Sequence, residues 1–102
     1  MSHGLPELTV ARLQRVFARH PEIEQVLLYG SRAKGNYRPG SDIDLTLVGQ
    51  SCDDNTLRIV MRELDELNTP YLMDVSLYHQ LLSEDLKTHI ADFGKVFYQR
   101  AG

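Results

Sequence analysis

The chain holds a single cysteine among its 102 residues, so no internal disulfide can form, and Cys52 has no Cys or His partners at zinc-ligand spacing. No apolar stretch approaches the ~20 residues of a membrane span, and the N-terminus lacks a signal-peptide pattern, so the protein is expected to be cytoplasmic. A basic excess is also missing. The 11 lysines and arginines against 14 aspartates and glutamates give a formal charge of −3, without a Lys/Arg cluster. That argues against tracking a long nucleic-acid backbone, and no direct nucleic-acid partner is expected. Repeats, low-complexity tracts and linkers are absent. The 102 residues, of ordinary hydrophobic content at 42%, suit one domain with its own core and leave no room for a second, substrate-holding lobe.

What is present concentrates between Val26 and Leu45. Val26-Leu27-Leu28-Tyr29 predicts a short strand, and Gly30-Ser31 closes it ahead of the helix formers Arg32, Ala33 and Lys34. Strand, tight turn and helix start would aim backbone N–H groups and a positive dipole end at one point, which suits a phosphate. Gly30 permits close approach of the backbone, and Ser31 can cap the helix or donate its hydroxyl. After the turn signals Pro39 and Gly40, Ser41 to Val48 reads as a second strand, with Asp42 and Asp44 on one face and Ile43, Leu45 and Leu47 on the other. Two neighbouring carboxylates repel unless a cation or water lies between them. Mg²⁺ is commonly held by one or two carboxylates together with substrate phosphates, so this pairing fits nucleotidyl transfer.

Gly30-Ser31-Arg32-Ala33-Lys34-Gly35, then five residues, then Ser41-Asp42-Ile43-Asp44-Leu45 resembles the signature of the DNA polymerase β-like nucleotidyltransferase superfamily, in particular its minimal nucleotidyltransferase (MNT) branch. That family carries a third carboxylate on a later strand, and Asp74 in Tyr71-Leu72-Met73-Asp74-Val75-Ser76-Leu77 stands where it is expected. The resemblance spans nearly the whole chain. It implies an α/β fold with a small mixed sheet flanked by helices. It further implies Mg²⁺-dependent transfer of AMP from ATP, with Asp42, Asp44 and Asp74 as catalytic metal ligands. Gly30, Ser31, Arg32, Lys34 and Ser41 would bind the nucleotide. Minimal nucleotidyltransferases often stand beside a HEPN-type ribonuclease toxin, so the resemblance implies such a protein as partner and tyrosine acceptor, with binding-only antitoxin action as the alternative and a homo- or hetero-oligomer as an open possibility.

The remaining segments supply scaffold. Leu8, Val10, Ala11, Leu13, Val16 and Phe17 fall at helical spacing between Pro6 and His20, and Pro21 precedes a strand over Ile23–Tyr29. Asp53 to Asn55 are cap residues for a helix running to about Asn68, and Tyr71–Leu77 is the third strand. Asp74 would share a strand face with Leu72 and Ser76, interrupting an element that otherwise reads as buried, where a charge must be paired or bind a metal; the alternative is an edge-strand Asp facing solvent. Ser83 starts a helix to about Phe93, Gly94 stops it, and Lys95–Gln99 forms a last edge strand whose Val96-Phe97-Tyr98 more simply closes the sheet than docks a partner. His79 and His89 lack metal-ligand spacing to one another and are read as structural. Tyr29 reads as core, and Tyr37 is a weaker candidate for stacking on the nucleotide base.

Overall fold

In a computed structural model, residues 4–101 are described. Helix α1, Glu7–Ala18, starts directly after Pro6 and buries Leu13, Val16 and Phe17. It is followed by strand β1 (Gln25–Tyr29), the single-turn helix α2 (Ser31–Lys34) and strand β2 (Ile43–Val48). Helix α3 spans Asp54–Asp65 and strand β3 Met73–Leu77; after a 3₁₀ turn at Tyr78–Gln80 come helix α4 (Glu84–Phe93) and strand β4 (Lys95–Gln99). Caps fix two starts: the Asp53 carboxylate accepts the Thr56 N–H at 2.9 Å ahead of α3, and Ser83 Oγ accepts the Leu86 N–H at 3.1 Å ahead of α4.

The four strands form one mixed sheet in the order β3-β2-β1-β4. β1 runs antiparallel to both β2 and β4, and β2 runs parallel to β3. Connection length accounts for the mixture. Residues 30–42 contain only the four residues of α2, too little for a crossover, so β2 folds back beside β1. Between β2 and β3 lies the twelve-residue α3, which allows the parallel return.

Alternation divides the sheet chemically. One face carries Val26, Leu28, Ile43, Leu45, Leu47, Val75 and Leu77, all packed into the main core with Leu13, Val16 and Phe17 of α1 and Val60 and Leu64 of α3. Phe97 and Tyr98 of β4 close that core against Phe17, with ring centroids 6.3 and 5.9 Å away. Phe97 is therefore internal, and of the Val96-Phe97-Tyr98 edge only Val96 is largely exposed. The opposite face presents Tyr29, Asp44, Thr46, Asp74 and Ser76, and α4 packs over β1 on that side, with Ile90 buried outside the main core. Among the described residues, no helix is long and apolar enough to cross a membrane.

Candidate active site

The polar sheet face assembles its charges through strand register. Asp44 lies directly opposite Asp74 across the parallel β2–β3 pair, and Tyr29, the last residue of β1, lies opposite Asp44 on the other side. Asp42 stands just before β2 rather than within it, because the strand begins at Ile43, where the Ile43 N–H is bonded to the Leu72 carbonyl at 2.9 Å. Partial burial, then the charges of Asp74 and Asp42, hold the Asp44 carboxyl above its ordinary range; His89 opposes the shift. The charges of Asp74 and Asp42 therefore both bear on Asp44.

Asp74 takes the edge-strand alternative. It is exposed because β3 lies at the sheet edge, so no buried charge here calls for a metal. What bears on a metal is the donor set. Among the described residues, no group of three or more His, Cys, Asp or Glu is arranged to enclose an ion unaided. Carboxylate oxygens nevertheless suit Mg²⁺, which ordinarily takes only one or two of them and completes its shell with water and substrate phosphates. Asp44 and its register partner Asp74, with Asp42 two residues upstream, fit that partial role.

Beneath the carboxylates runs a row of hydroxyls. Ser76 Oγ donates to Thr46 Oγ1 at 3.0 Å, and the Tyr29 side chain is hydrogen-bonded to Ser76. Burial raises the Tyr29 hydroxyl above its ordinary range; the Ser76 bond opposes this, and the charges of Asp74 and Asp44 add to it. Tyr29 is thus buried, as its apolar context predicts, but it serves the polar face of the sheet rather than the main core.

Gly30 makes the turn possible. Its φ is +78°, and an added Cβ would lie 2.2 Å from Asp44 Oδ2, so only glycine lets β1 end against that carboxylate. Its N–H, expected to face a phosphate, is instead donated to His89 Nε2 at 2.9 Å. The helix behind the turn is one four-residue segment, so its dipole adds little to a phosphate site. Ser31 is half-buried at the same turn.

Two basic residues occupy different settings. Lys34 is exposed, with Nζ 5.1 Å from the centre of the Phe93 ring. Arg32, expected to neutralise phosphates, is only 3% exposed, and its Nε and Nη2 both donate to the Ser41 carbonyl, at 3.2 and 2.9 Å. The Tyr37 and Tyr71 ring centres lie 5.2 and 5.1 Å from its guanidinium carbon, so one use of the Tyr37 ring is to cover Arg32. Ser41 Oγ accepts the Arg38 N–H at 2.8 Å, which ties that oxygen into the loop and leaves its own O–H to donate.

His89, read as structural, turns out to hold the turn beside the candidate site. Besides holding the Gly30 N–H, its ring stands edge-on to Tyr29 at 6.3 Å and lies 5.4 Å from Phe93. The usable signal was helical phase: His89 is four residues from Phe93 and so shares its face of α4, and that face meets Tyr29 and Gly30. His79 is structural, as expected; its Nε2 meets the Cys52 carbonyl at 2.7 Å. A cavity of about 420 Å³ between α3 and β3, lined by Met61, Leu64, Tyr71, Leu72, Met73 and Val75, includes none of the three aspartates.

Comparison with known proteins identifies the family and the fold. Residues 11–101 match the family model described as polymerase beta, nucleotidyltransferase. No protein of curated function matches the sequence. A chain in a crystal structure of a toxin–antitoxin with AMP-PNP superposes with a TM-score of 0.68 at 21% identity, over 93% of this chain and 74% of that one. A chain in a tri-AMPylated Shewanella oneidensis HEPN toxin in complex with MNT antitoxin gives a TM-score of 0.64 at 16% identity, over 91% and 71%. A further toxin–antitoxin structure, MntA-HepT, gives 0.66 at 15% identity, over 92% and 73%.

Proposed function

Since the chain belongs to the polymerase beta nucleotidyltransferase family, we propose that it moves AMP from ATP onto a hydroxyl, the acceptor being a tyrosine of a HEPN-type toxin partner. The observation that carries the reading is the register pairing of Asp44 with Asp74, with Asp42 two residues upstream. The similarity to a chain in a complex holding an AMPylated HEPN toxin supports the choice of acceptor, and the similarity to one with AMP-PNP supports the nucleotide.

In this reading the acceptor oxygen attacks the α-phosphorus in line, a new P–O bond forms, and the bond to the β-phosphate oxygen breaks to release pyrophosphate. Asp74, exposed on the edge strand, faces the incoming acceptor and takes up its proton. Asp42, Asp44 and Asp74 would hold Mg²⁺, which when bound offsets phosphate charge and favours ionisation of the attacking hydroxyl. Ser31 and Lys34 meet the β- and γ-phosphates, while Gly30 keeps the turn close to Asp44. Ser41 acts through the loop that its carbonyl and hydroxyl hold together.

The test is intact-mass measurement of a HEPN-type protein, sought first as the product of the adjacent gene, after incubation with the chain, ATP and Mg²⁺. Addition of AMP to that protein, lost with Asp74→Asn, is the expected result. A stable complex without a mass change would replace the enzymatic reading with neutralisation by binding alone.

A further inference from the structure

Burying a guanidinium is costly unless its donors are used and its faces are covered, and Arg32 meets both conditions with groups from separate segments. Two of its N–H groups converge on the Ser41 carbonyl, the residue immediately before Asp42. Tyr37 comes from the loop leading to Asp42, and Tyr71 lies three residues before Asp74. Tyr71 also packs against the main core, which anchors that side. An added Cβ on Gly4 would lie 2.9 Å from Arg32 Nη1, so the N-terminal segment passes close to the cluster as well.

The loop between α2 and β2 needs such an anchor. Gly35 and Gly40 have φ of +90° and +102°, and Lys34 to Asn36 and Arg38 to Gly40 are exposed. A turn of its own, with the Ser41 N–H donated to the Arg38 carbonyl at 2.9 Å and the Arg38 N–H to Ser41 Oγ, shapes it without fixing it to the domain. The contacts of Arg32 supply that fixation.

We infer that Arg32 is a positioning residue: it clamps α2, the loop delivering Asp42 and the approach to Asp74 into one rigid unit, and does not contact the nucleotide. Lysine cannot substitute, because one ammonium offers neither a fork for the carbonyl nor a flat face for two rings. The inference rests on the proposed transfer reaction only for its kinetic consequence. Its structural consequence stands without it.

Amide hydrogen exchange and transfer kinetics on Arg32→Lys and Tyr37→Leu test it together. In Arg32→Lys the Arg38 and Ser41 amides are expected to exchange at least about tenfold faster while Leu45 and Leu47 in β2 keep their protection. The kcat is expected to fall by roughly tenfold or more with the KM for ATP changed much less. Tyr37→Leu, which retains the charge, is expected to shift both readouts in the same direction by less, and it decides the matter if Arg32→Lys does not fold. Unchanged exchange at Arg38 and Ser41 in the variant that folds would overturn the inference. So would kcat and KM for ATP near wild type in Arg32→Lys, because a phosphate contact is restored by lysine and a clamp is not. A wild-type protein without transfer activity would sink the transfer reading and leave the exchange result to judge the clamp.

Discussion

Asp44 is where the fold's demands and those of the site conflict most directly. Its carboxyl is pushed above the ordinary 3.8 by partial burial and then by Asp74 and Asp42. An acid whose pKa is raised on folding holds its proton more tightly in the folded state, so stability falls as pH climbs from 3.8 through the raised value and stays lower at neutral pH. Asp44→Asn removes that term. We expect the metal-free variant to melt above wild type at pH 7, by no more than about 1 kcal/mol because the carboxylate is partly solvated, with the gain vanishing near pH 3. Thermal unfolding across pH measures this, and a variant that melts lower at pH 7 would show that Asp44 is held by favourable contacts instead. The same variant is expected to lose transfer.

The elements themselves were largely legible, because their signals are local. β1 is an apolar run closed by Gly30-Ser31, β4 was bounded by Gly94, and the capping Asp53 and Ser83 marked helix starts. The strand bearing Asp44 was legible too, by alternation, though its first residue was not: whether Asp42 joins β2 depends on a loop held by Arg32 and on pairing with Leu72. Three features depended on tertiary contacts that no short window contains. β3 is an edge strand, which leaves Asp74 exposed; Arg32 turns inward, although Gly-Ser-Arg reads as a phosphate motif; and α4 lies across β1, so that His89 reaches Gly30. The last contact gives a prediction about α4 as an element. His89→Ala removes the acceptor for the Gly30 N–H and the ring contacts with Tyr29 and Phe93. A cost of about 1–2 kcal/mol in denaturant unfolding is expected, with faster exchange of the Gly30 amide. The Asp44 carboxyl should titrate still higher by carbon NMR, since His89 opposes its upward shift. An unchanged Gly30 amide would mean that α4 does not latch the turn.

At the scale of the molecule, the candidate site draws on β1, β2, β3 and α4, from Tyr29 to His89, so it exists only when the whole sheet has formed. A ligand that binds this assembly binds the folded state alone, and its binding energy adds to stability; saturation at 100 times the dissociation constant contributes about 2.7 kcal/mol. In a domain of this size each kcal/mol moves the melting temperature by roughly 4–8 °C, so binding is readable in a thermal scan. The charges decide what the scan should show. Asp42, Asp44 and Asp74 already crowd one face, and a triphosphate brings several more negative charges to it, so ATP alone meets repulsion while ATP with Mg²⁺ does not. We therefore expect a large rise in melting temperature with ATP and Mg²⁺ together, a small one with either alone, and a reduced synergy in Asp42→Asn, whose fold should be intact because Asp42 is exposed and precedes the strand. Equal stabilisation by ATP with and without the divalent ion would show that the nucleotide binds away from these carboxylates, and the assignment of the polar sheet face as the transfer site would fall with it.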